Sequence, residues 1–469
     1  MRHLKQLGRA GVAGIVLAAA LAVTPVRADP HQDAVAAYNR GDYAAARSLF
    51  LPLAQQGQRE AQFYLANMYD FGQGVPADVA EAARWYRRAA DQGHAEAQFA
   101  IGVMYYEGEE VPQDHSEAAR WFRRAADQND AEAQYNLGLM YHRGEGVSRD
   151  PSRAAEWFRK SAEAGDADAQ QALGVLYQNG LGVPRDDAQA VIWLRRSAGQ
   201  GSAAAQTLLG NLYRDGRGVS RDAAEAAGWY RRAAAQGDAE AQNSLGDLHY
   251  RANGLRQDPA EAARWYRLAA EQGHAAAQNS LGFLYNVGQG VTQDRAEAAR
   301  WYRRSAEQGY AKGQASLATA YSAGWGVARD EAQALFWYRL AAEQDHVDSQ
   351  VGLGSLLSLD SSPFPKDYVE AMRWYRRAAE LGRSEGHYGV GRLYAEGKGV
   401  PRDYAEAAQW WRIAADRGHH WAQYDLGMLY VNGQGVARDR DEAISLLRRA
   451  ARQQDGRARE RLRELGETW

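Results

Sequence analysis

Few residue combinations in this sequence could support catalysis. One Gly-x-Ser-x-Gly pattern occurs, Gly382-Arg-Ser-Glu-Gly386, and such a pattern can present a nucleophilic serine in hydrolases. That role requires a strand before the serine and a helix after it. Here Ser384 begins a helix within a helical hairpin, where other copies of the same sequence unit carry ordinary residues. We therefore predict a chance match and no catalytic residue.

Histidine is the other residue type that could do chemistry here, as a metal ligand. Four of the eleven histidines share one position of a repeated pattern: His94, His274, His346 and His419. Metal ligands must converge within a few ångströms, whereas His274 and His346 lie two repeats apart, about 20 Å at helix-packing distances. We predict polar residues near helix starts, with no metal site and no cofactor. The absence of Cys excludes disulfides, thiol catalysis and Cys-ligated zinc.

The composition is that of a folded protein. Of 469 residues, 45% are hydrophobic and 25% are charged, which excludes a disordered chain and a polytopic membrane protein. The chain is too long for one compact core. Either about three domains or one elongated repeat array is therefore expected.

The first 28 residues have the pattern of a secretory signal peptide. Arg2, Lys5 and Arg9 precede an apolar run over 11–23, which is too short to span a bilayer. Val26-Arg-Ala28 places small or apolar residues where signal peptidase requires them. We predict cleavage after Ala28 and a periplasmic or secreted chain without an integral membrane segment.

The charge of the mature chain argues against a nucleic-acid partner. After removal of residues 1–28, 52 Lys and Arg remain against 59 Asp and Glu, a net charge of −7. Phosphate contacts need a basic surface. We therefore expect no nucleic-acid binding.

An internal repeat organises the rest of the chain. Trp recurs at intervals of 36 residues, with one interval of 37: Trp85, Trp121, Trp157, Trp193, Trp229, Trp265, Trp301, Trp337, Trp374 and Trp410. A second apolar series runs in phase: Leu65, Ile101, Leu137, Leu173, Leu209, Leu245, Leu281, Leu317, Leu353, Val390, Leu426 and Leu462. A strict period of this size predicts a stacked array.

Each unit contains the pattern of two helices. In residues 94–129, apolar residues at 3–4 residue spacing predict helix A up to Gly108, and a second such run over 118–126 predicts helix B. Asp114 followed by Glu117 resembles a capping box at the start of helix B. A glycine in the middle of helix A, such as Gly102, costs roughly 1 kcal/mol against Ala. We predict that close approach of helix B compensates for this cost.

These residues carry a family resemblance. Ala131-Glu-Ala-Gln-Tyr-Asn-Leu-Gly-Leu-Met-Tyr141, followed by Asp150 and Trp157-Phe-Arg, resembles the Sel1-like repeat of the tetratricopeptide-like superfamily. The resemblance covers eleven units of about 36 residues over 58–454, and it implies an exported bacterial member. It implies an all-α fold, a right-handed α-solenoid (superhelix) of helix-turn-helix repeats. We assign 29–57 to a degenerate N-terminal capping helix pair and 455–469 to a C-terminal capping helix.

Two units depart from the pattern. The unit at 238–273 has His249 in place of Tyr and an altered turn after it, and the unit at 346–382 has a turn over 358–366 that lacks both glycines. The second turn could make a contact of its own, or it could be a tolerated insertion.

The resemblance also indicates where a partner would bind, because helix A lines the concave side of such superhelices. Beside the core positions of helix A runs a stripe whose residues vary freely: aromatic and apolar in the first units, polar in the middle, mixed at the end. We predict partner-binding residues in it: Phe63, Phe99, Val103, Tyr106, Tyr135, Leu139, Asn211, Asp247, Arg392 and Tyr424. Phe99, Tyr106, Tyr135 and Leu139 would anchor an extended peptide or a partner helix. Packing of these rings against neighbouring units is the alternative, and the sequence leaves both open.

The resemblance implies a non-enzymatic scaffold or regulator in the bacterial cell envelope that binds a protein or peptide, and we expect a monomer. One alternative is a secreted binder of a host protein. Another is a cell-wall-acting hydrolase or β-lactam binder, an activity associated with a cysteine-rich exported branch of the family. The absence of Cys separates this chain from that branch.

Overall fold

A computed structural model of the chain describes residues 29–251, 256–358 and 366–469. The predicted signal peptide, residues 1–28, lies outside the described residues, and so do 252–255 and 359–365 in the two altered turns. The described residues contain 25 α-helices and no strand. Their bounds are α1 Pro30–Asn39, α2 Tyr43–Gln55, α3 Arg59–Phe71, α4 Val79–Asp91, α5 Ala95–Glu107, α6 His115–Ala126, α7 Ala131–Arg143, α8 Pro151–Glu163, α9 Ala167–Asn179, α10 Asp187–Gly199, α11 Ala203–Asp215, α12 Ala223–Ala235, α13 Ala239–Arg251, α14 Pro259–Glu271, α15 Ala275–Val287, α16 Arg295–Glu307, α17 Ala311–Ala323, α18 Glu331–Glu343, α19 Val347–Ser358, α20 Tyr368–Glu380, α21 Ser384–Glu396, α22 Tyr404–Asp416, α23 His420–Asn432, α24 Arg440–Arg452 and α25 Gly456–Glu464.

The helices form consecutive pairs, which confirms the predicted all-α architecture of helix-turn-helix repeats. From α3 to α24 each odd-numbered helix is helix A and the following helix is helix B, giving repeats 1 to 11. The pair α1 and α2 precedes repeat 1, and α25 follows repeat 11. The contacts divide the chain into two units, one ending at Gln236 and one beginning at Gly237. Each unit is a stack of helix pairs.

The start of helix B is capped by an aspartate, as predicted. In repeat 2 the Asp114 carboxylate accepts hydrogen bonds from the N–H groups of Ser116 and Glu117 at 2.8 and 3.0 Å. The reciprocal bond of a capping box does not form, because the Asp114 N–H donates to the Tyr105 carbonyl at 2.9 Å. Glu117 pairs with Arg120 instead, at 2.6 Å. This part of the prediction was wrong because helix A of the same repeat supplies the acceptor.

Close packing of helix A on helix B explains the mid-helix glycine, as predicted. A Cβ atom added at Gly102 would lie 2.6 Å from Cδ1 of Phe122 on helix B. Phe122 is 1% exposed and the adjacent Trp121 is 2% exposed. The missing methyl group lets the aromatic ring lie against the helix A backbone, and this contact offsets the low helix propensity of glycine.

The turn between the two helices packs on the preceding repeat. Gly146, in the turn of repeat 3, has φ +66°, and a Cβ atom there would lie 2.1 Å from the carbonyl oxygen of His115 in repeat 2. A left-handed backbone with no space for a side chain admits only glycine. This is why a second glycine follows the one that ends helix A.

Two series of polar bonds recur along the repeats. A glutamine of helix A accepts from a glutamine 30 residues later, in the pairs Gln62/Gln92, Gln98/Gln128, Gln170/Gln200, Gln206/Gln236, Gln242/Gln272, Gln278/Gln308, Gln314/Gln344 and Gln423/Gln453. An arginine of helix B donates to a tyrosine hydroxyl on helix A of the next repeat, in the pairs Arg87/Tyr105, Arg123/Tyr141, Arg159/Tyr177, Arg195/Tyr213, Arg267/Tyr285, Arg303/Tyr321, Arg376/Tyr394 and Arg412/Tyr430. In the altered repeat 9, Leu357 occupies the tyrosine position, and Arg339 bonds to Glu370 at 3.0 Å.

Candidate functional site

Two aromatic residues of the predicted stripe are buried. Phe63 is 7% exposed, and its ring stacks on the His94 ring with centroids 4.3 Å apart. Tyr106 is 6% exposed and donates to a Glu145 carboxylate oxygen at 2.6 Å. Burial of both rings within the repeats leaves little surface for a partner. This corrects the prediction that Phe63 and Tyr106 present their rings to a partner. Each ring instead packs against a histidine ring within the repeats.

Four stripe residues in repeats 2 and 3 are half-buried and form one apolar surface: Phe99, Val103, Tyr135 and Leu139. The Phe99 ring lies 5.5 Å from the Phe122 ring, and the Tyr135 ring lies 5.7 Å from the Phe158 ring. We call these four residues the apolar stripe. Each ring packs at a tilt against an aromatic ring of helix B in its own repeat, and part of each side chain remains accessible.

Burial raises the pKa of Tyr135 to about 12, with smaller contributions from the carboxylates of Asp168 and Asp166. The Tyr135 hydroxyl therefore stays neutral at physiological pH. It can act as a hydrogen-bond donor or acceptor beside an acidic surface.

The polarity of the middle residue of the stripe depends in most repeats on the residue that faces it on helix B. In five repeats helix B carries tyrosine and the helix A residue is polar and bonds to the tyrosine hydroxyl, in the pairs Asn67/Tyr86, Asn211/Tyr230, Asp247/Tyr266, Thr319/Tyr338 and Ser355/Tyr375. Repeat 7 is an exception, because Phe283 occupies the helix A position that corresponds to Tyr302. Where helix B carries Phe122 or Phe158, the corresponding helix A residue is Val103 or Leu139. Much of the variation along the stripe thus follows from pairing inside each repeat.

The remaining predicted residues lie in the second half of the chain and in repeat 5. Asn211 and Asp247 each accept from a tyrosine hydroxyl, at 2.7 and 2.6 Å. Arg392 donates to the Ser358 hydroxyl at 2.7 Å. Tyr424 is half-buried, with the Arg457 guanidinium 4.3 Å above its ring. These residues do not join the apolar stripe of repeats 2 and 3.

Sequence reasoning overlooked an acidic row beside the apolar stripe. Glu96, Glu132 and Asp168 occupy one position in the first turn of helix A in repeats 2, 3 and 4. Glu96 and Glu132 precede Phe99 and Tyr135 by three residues, which places each pair on one helix face. The constant spacing of 36 residues was a signal that could have identified the row.

The repeated histidines and Ser384, which were considered as metal ligands and as a nucleophile, have structural roles. The His94 Nδ1 atom accepts from the Ala97 N–H at 3.3 Å, and His274 and His419 cap their helices in the same way. Ser384 Oγ bonds to Glu385 at the start of α21. Among the described residues no group of three or more His, Cys, Asp or Glu side chains could hold a metal ion. Within the same part of the chain, no helix has the length and apolar character needed to cross a membrane.

Comparison with known proteins gives a family for the repeats. Eleven segments match the family model described as the Sel1 repeat: 59–94, 95–130, 131–166, 167–202, 203–238, 239–274, 275–310, 311–346, 347–382, 384–419 and 422–455. The structure is similar to that of a protective antigen present in uropathogenic Escherichia coli strains that displays an SLR fold. That similarity has a TM-score of 0.74 and 37% identity, covering 86% of each chain.

A second solved structure supports the same relationship. A Sel1 repeat protein from Oxalobacter formigenes is similar with a TM-score of 0.54 and 32% identity, covering 75% of this chain and 99% of that protein. Among curated proteins, none matches this chain. The comparisons thus agree on repeat type and fold.

Proposed function

The chain belongs to the Sel1 repeat family, and on this premise we propose that it is a non-enzymatic scaffold of the bacterial cell envelope that binds a protein or peptide along the apolar stripe. Proteins built from Sel1 repeats are in general protein–protein interaction scaffolds. The proposed location follows from the signal-peptide pattern of residues 1–28.

The observation that carries the proposal is the continuity of the apolar stripe across two repeats. Phe99 and Tyr135 each present a partly accessible ring, and Val103 and Leu139 extend the surface along the same helices. Aromatic side chains supply much of the binding energy at protein interfaces. A surface spanning adjacent helices A can contact an extended peptide or a single helix of a partner.

Site-specific photo-cross-linking in the source organism tests this proposal. The photoreactive residue p-benzoylphenylalanine replaces Leu139 in one variant and Glu156, which is exposed on α8 of the same repeat, in a matched control. We expect irradiation to give a defined adduct with a protein in the envelope fraction from position 139 and none from position 156. Equal adducts at both positions, or none at position 139, would contradict binding at the stripe.

A second candidate is a secreted binder of a host protein. The similarity to a protective antigen of uropathogenic Escherichia coli supports it. Fractionation of the culture distinguishes the two candidates, because a scaffold of the envelope stays with the periplasm and a secreted binder accumulates in the medium. In both fractions the mature chain is expected to begin at Asp29.

A cell-wall-acting hydrolase or β-lactam binder gains no support from the described residues. The Ser384 hydroxyl bonds to the neighbouring Glu385 at 3.1 Å, and Ser384 begins a helix in a helical hairpin. Turnover of a chromogenic β-lactam by the purified mature protein would revive this alternative.

A further inference from the structure

We infer that the occupant of the apolar stripe is an extended segment of a partner protein rich in arginine or lysine, whose cations pair with Glu96, Glu132 and Asp168. This inference rests on the proposed function and specifies its partner. It applies to repeats 2 to 4, which all belong to the unit that ends at Gln236.

The carboxylates and the rings lie side by side. Glu96 is three residues before Phe99, and Glu132 is three residues before Tyr135, so each repeat presents one carboxylate and one ring on the same face of helix A. Glu96 is exposed and Glu132 is half-buried. A bound chain could therefore contact the rings with its apolar atoms while its cations reach the acidic row.

The acidic row is poorly neutralised within the protein. Burial raises the pKa of Glu132, and the charged groups that raise it further are all carboxylates: Asp130, Asp166 and Glu96. Glu96 is exposed as a residue, but partial burial of its carboxylate among neighbouring groups also raises its pKa, where His94 opposes the shift and Asp130 and Glu60 add to it. By contrast, Glu117 on helix B pairs with Arg120 at 2.6 Å. A cation from a partner would relieve the mutual repulsion of the row.

Helix A of repeat 3 also carries, among the described residues, a buried acceptor without a partner. Gln134 is 2% exposed, and among the described residues its Oε1 atom has no hydrogen-bond donor. In repeats 2 and 4 the equivalent atom accepts from Gln128 or Gln200, at 2.8 and 2.9 Å. In repeat 3 the residue at the position of Gln128 and Gln200 is Ala164, whose side chain has no donor. Repeat 3 therefore lacks the bond between glutamines that repeats 2 and 4 form.

An acid at the position of the acidic row is common in the repeats but not obligatory. A carboxylate in the first turn of a helix interacts favourably with the helix dipole. However, the position does not require an acid, because Ala204 and Ala276 occupy it in repeats 5 and 7 and Lys312 occupies it in repeat 8. Acids also occupy it in other repeats, as Glu60, Glu240, Asp348 and Glu385. What is particular to repeats 2 and 3 is that two successive repeats place this carboxylate three residues before a partly accessible aromatic ring.

The spacing of the row suits an extended chain. We take the general helix-packing distance of about 10 Å as the spacing of successive repeats, and three residues of polyproline II structure advance about 9 Å. A chain with a cation at every third residue can thus place successive cations near successive carboxylates. We therefore choose the peptide (Arg-Pro-Pro)4 as the probe, with (Glu-Pro-Pro)4 and (Ser-Pro-Pro)4 as its charge-reversed and neutral counterparts.

Binding of these peptides to the mature full-length protein tests the inference by fluorescence anisotropy. The test variant is Glu96→Gln/Glu132→Gln/Asp168→Asn. The control, Asp127→Asn/Glu156→Gln/Glu163→Gln, removes the same charge from exposed positions of repeats 2 and 3. We expect the arginine peptide to bind more tightly than the other two, about tenfold less tightly to the test variant, and with unchanged affinity to the control. Circular dichroism confirms that both variants are folded.

Three results would overturn the inference: no preference for the arginine peptide, equal weakening in both variants, or unchanged binding to the test variant. Failure of the proposed function is distinguishable from these outcomes. If Leu139 cross-links to a partner whose binding the test variant leaves unchanged, the scaffold function stands and the basic segment is wrong. If position 139 yields no adduct but the arginine peptide binds through the acidic row, the envelope function fails while the charge preference stands.

Discussion

At the scale of single residues, Gly102 shows that the absence of one methyl group fixes the distance between two helices. Alanine there would bring Cβ to 2.6 Å from Cδ1 of the buried Phe122 ring, so the ring or the helix must move. Overpacking of this kind costs about 1–3 kcal/mol, which exceeds the roughly 1 kcal/mol that alanine gains in helix propensity. We predict that Gly102→Ala lowers the free energy of unfolding, measured by urea denaturation.

Gly228→Ala is the matched control for that substitution. Gly228 also lies within a helix, but an added Cβ there has no atom within 4 Å. The alanine should therefore raise the free energy of unfolding, by up to about 1 kcal/mol. Opposite signs for the two variants would establish close helix approach as the reason for the glycine. Stabilisation by both substitutions would refute that explanation.

A single residue, Asp425, also makes the free energy of unfolding depend on pH. Burial raises the pKa of its carboxyl to about 6, although the Tyr388 hydroxyl, which donates to it at 2.9 Å, and Arg457 oppose the shift. Between about pH 4 and pH 6 the folded protein keeps a proton that the unfolded chain releases. The contribution of this group to the free energy of unfolding therefore falls as pH rises through this interval and is constant above it.

We predict that Asp425→Asn raises the melting temperature more at pH 7.5 than at pH 4, because asparagine accepts the Tyr388 bond without becoming charged. Thermal denaturation of the variant and the parent at both pH values measures this difference. Asp127→Asn, at an exposed position, is the control and should give equal shifts. An equal shift for Asp425→Asn at the two pH values would contradict the assigned cause.

At the scale of helices, the pairing of helix A with helix B is selective. Phe122 faces Val103 in repeat 2, whereas Tyr230 bonds to Asn211 in repeat 5 at 2.7 Å. Phe122→Tyr should bury a hydroxyl without a partner, and Val103→Asn should place an amide against a phenyl ring. Each is expected to cost about 1–3 kcal/mol. The double variant recreates the repeat 5 pair and should recover a large part of the loss.

A double-mutant cycle of unfolding free energies measures that recovery. Phe122→Tyr combined with Leu139→Asn is the control, because Leu139 faces Phe158 in the next repeat. A coupling energy near zero between positions 103 and 122 would contradict the pairing.

The helices themselves were predictable, because the period of Trp and Leu and the Asp before helix B report local geometry that every repeat shares. The stripe was harder to interpret. Its polarity depends on a residue 19 positions later, as in Asn211 and Tyr230, and the sequence does contain this correlation. The burial of Phe63 was not predictable, because the ring stacks on His94 through a contact that a single repeat pattern does not specify. The acidic row was visible in the sequence, but only the environment of Glu132 shows that carboxylates surround it.

At the scale of the whole molecule, an array of like units must close the apolar face of its last repeat. The terminal helix α25 does this in the unit that begins at Gly237: Ala458 and Leu462 are fully buried and cluster with Ile444, Leu447 and Ala451 of α24. In an array whose repeats contact mainly their neighbours, loss of such a contact should destabilise the adjacent helices most. The destabilisation should decrease with distance along the stack.

Leu462→Asp tests this one-dimensional behaviour. A buried charge should detach α25, because an isolated carboxylate in an apolar site is costly, and α24 would then expose Leu447. We predict faster amide hydrogen exchange in α25 and α24, a smaller increase in α22 and α23, and unchanged exchange in repeats 6 to 8. Glu460→Gln, on the exposed side of α25, should leave exchange unchanged throughout. Uniform acceleration over the unit would instead show that the repeats unfold as one cooperative block, and the nearest-neighbour description would then fail for this protein.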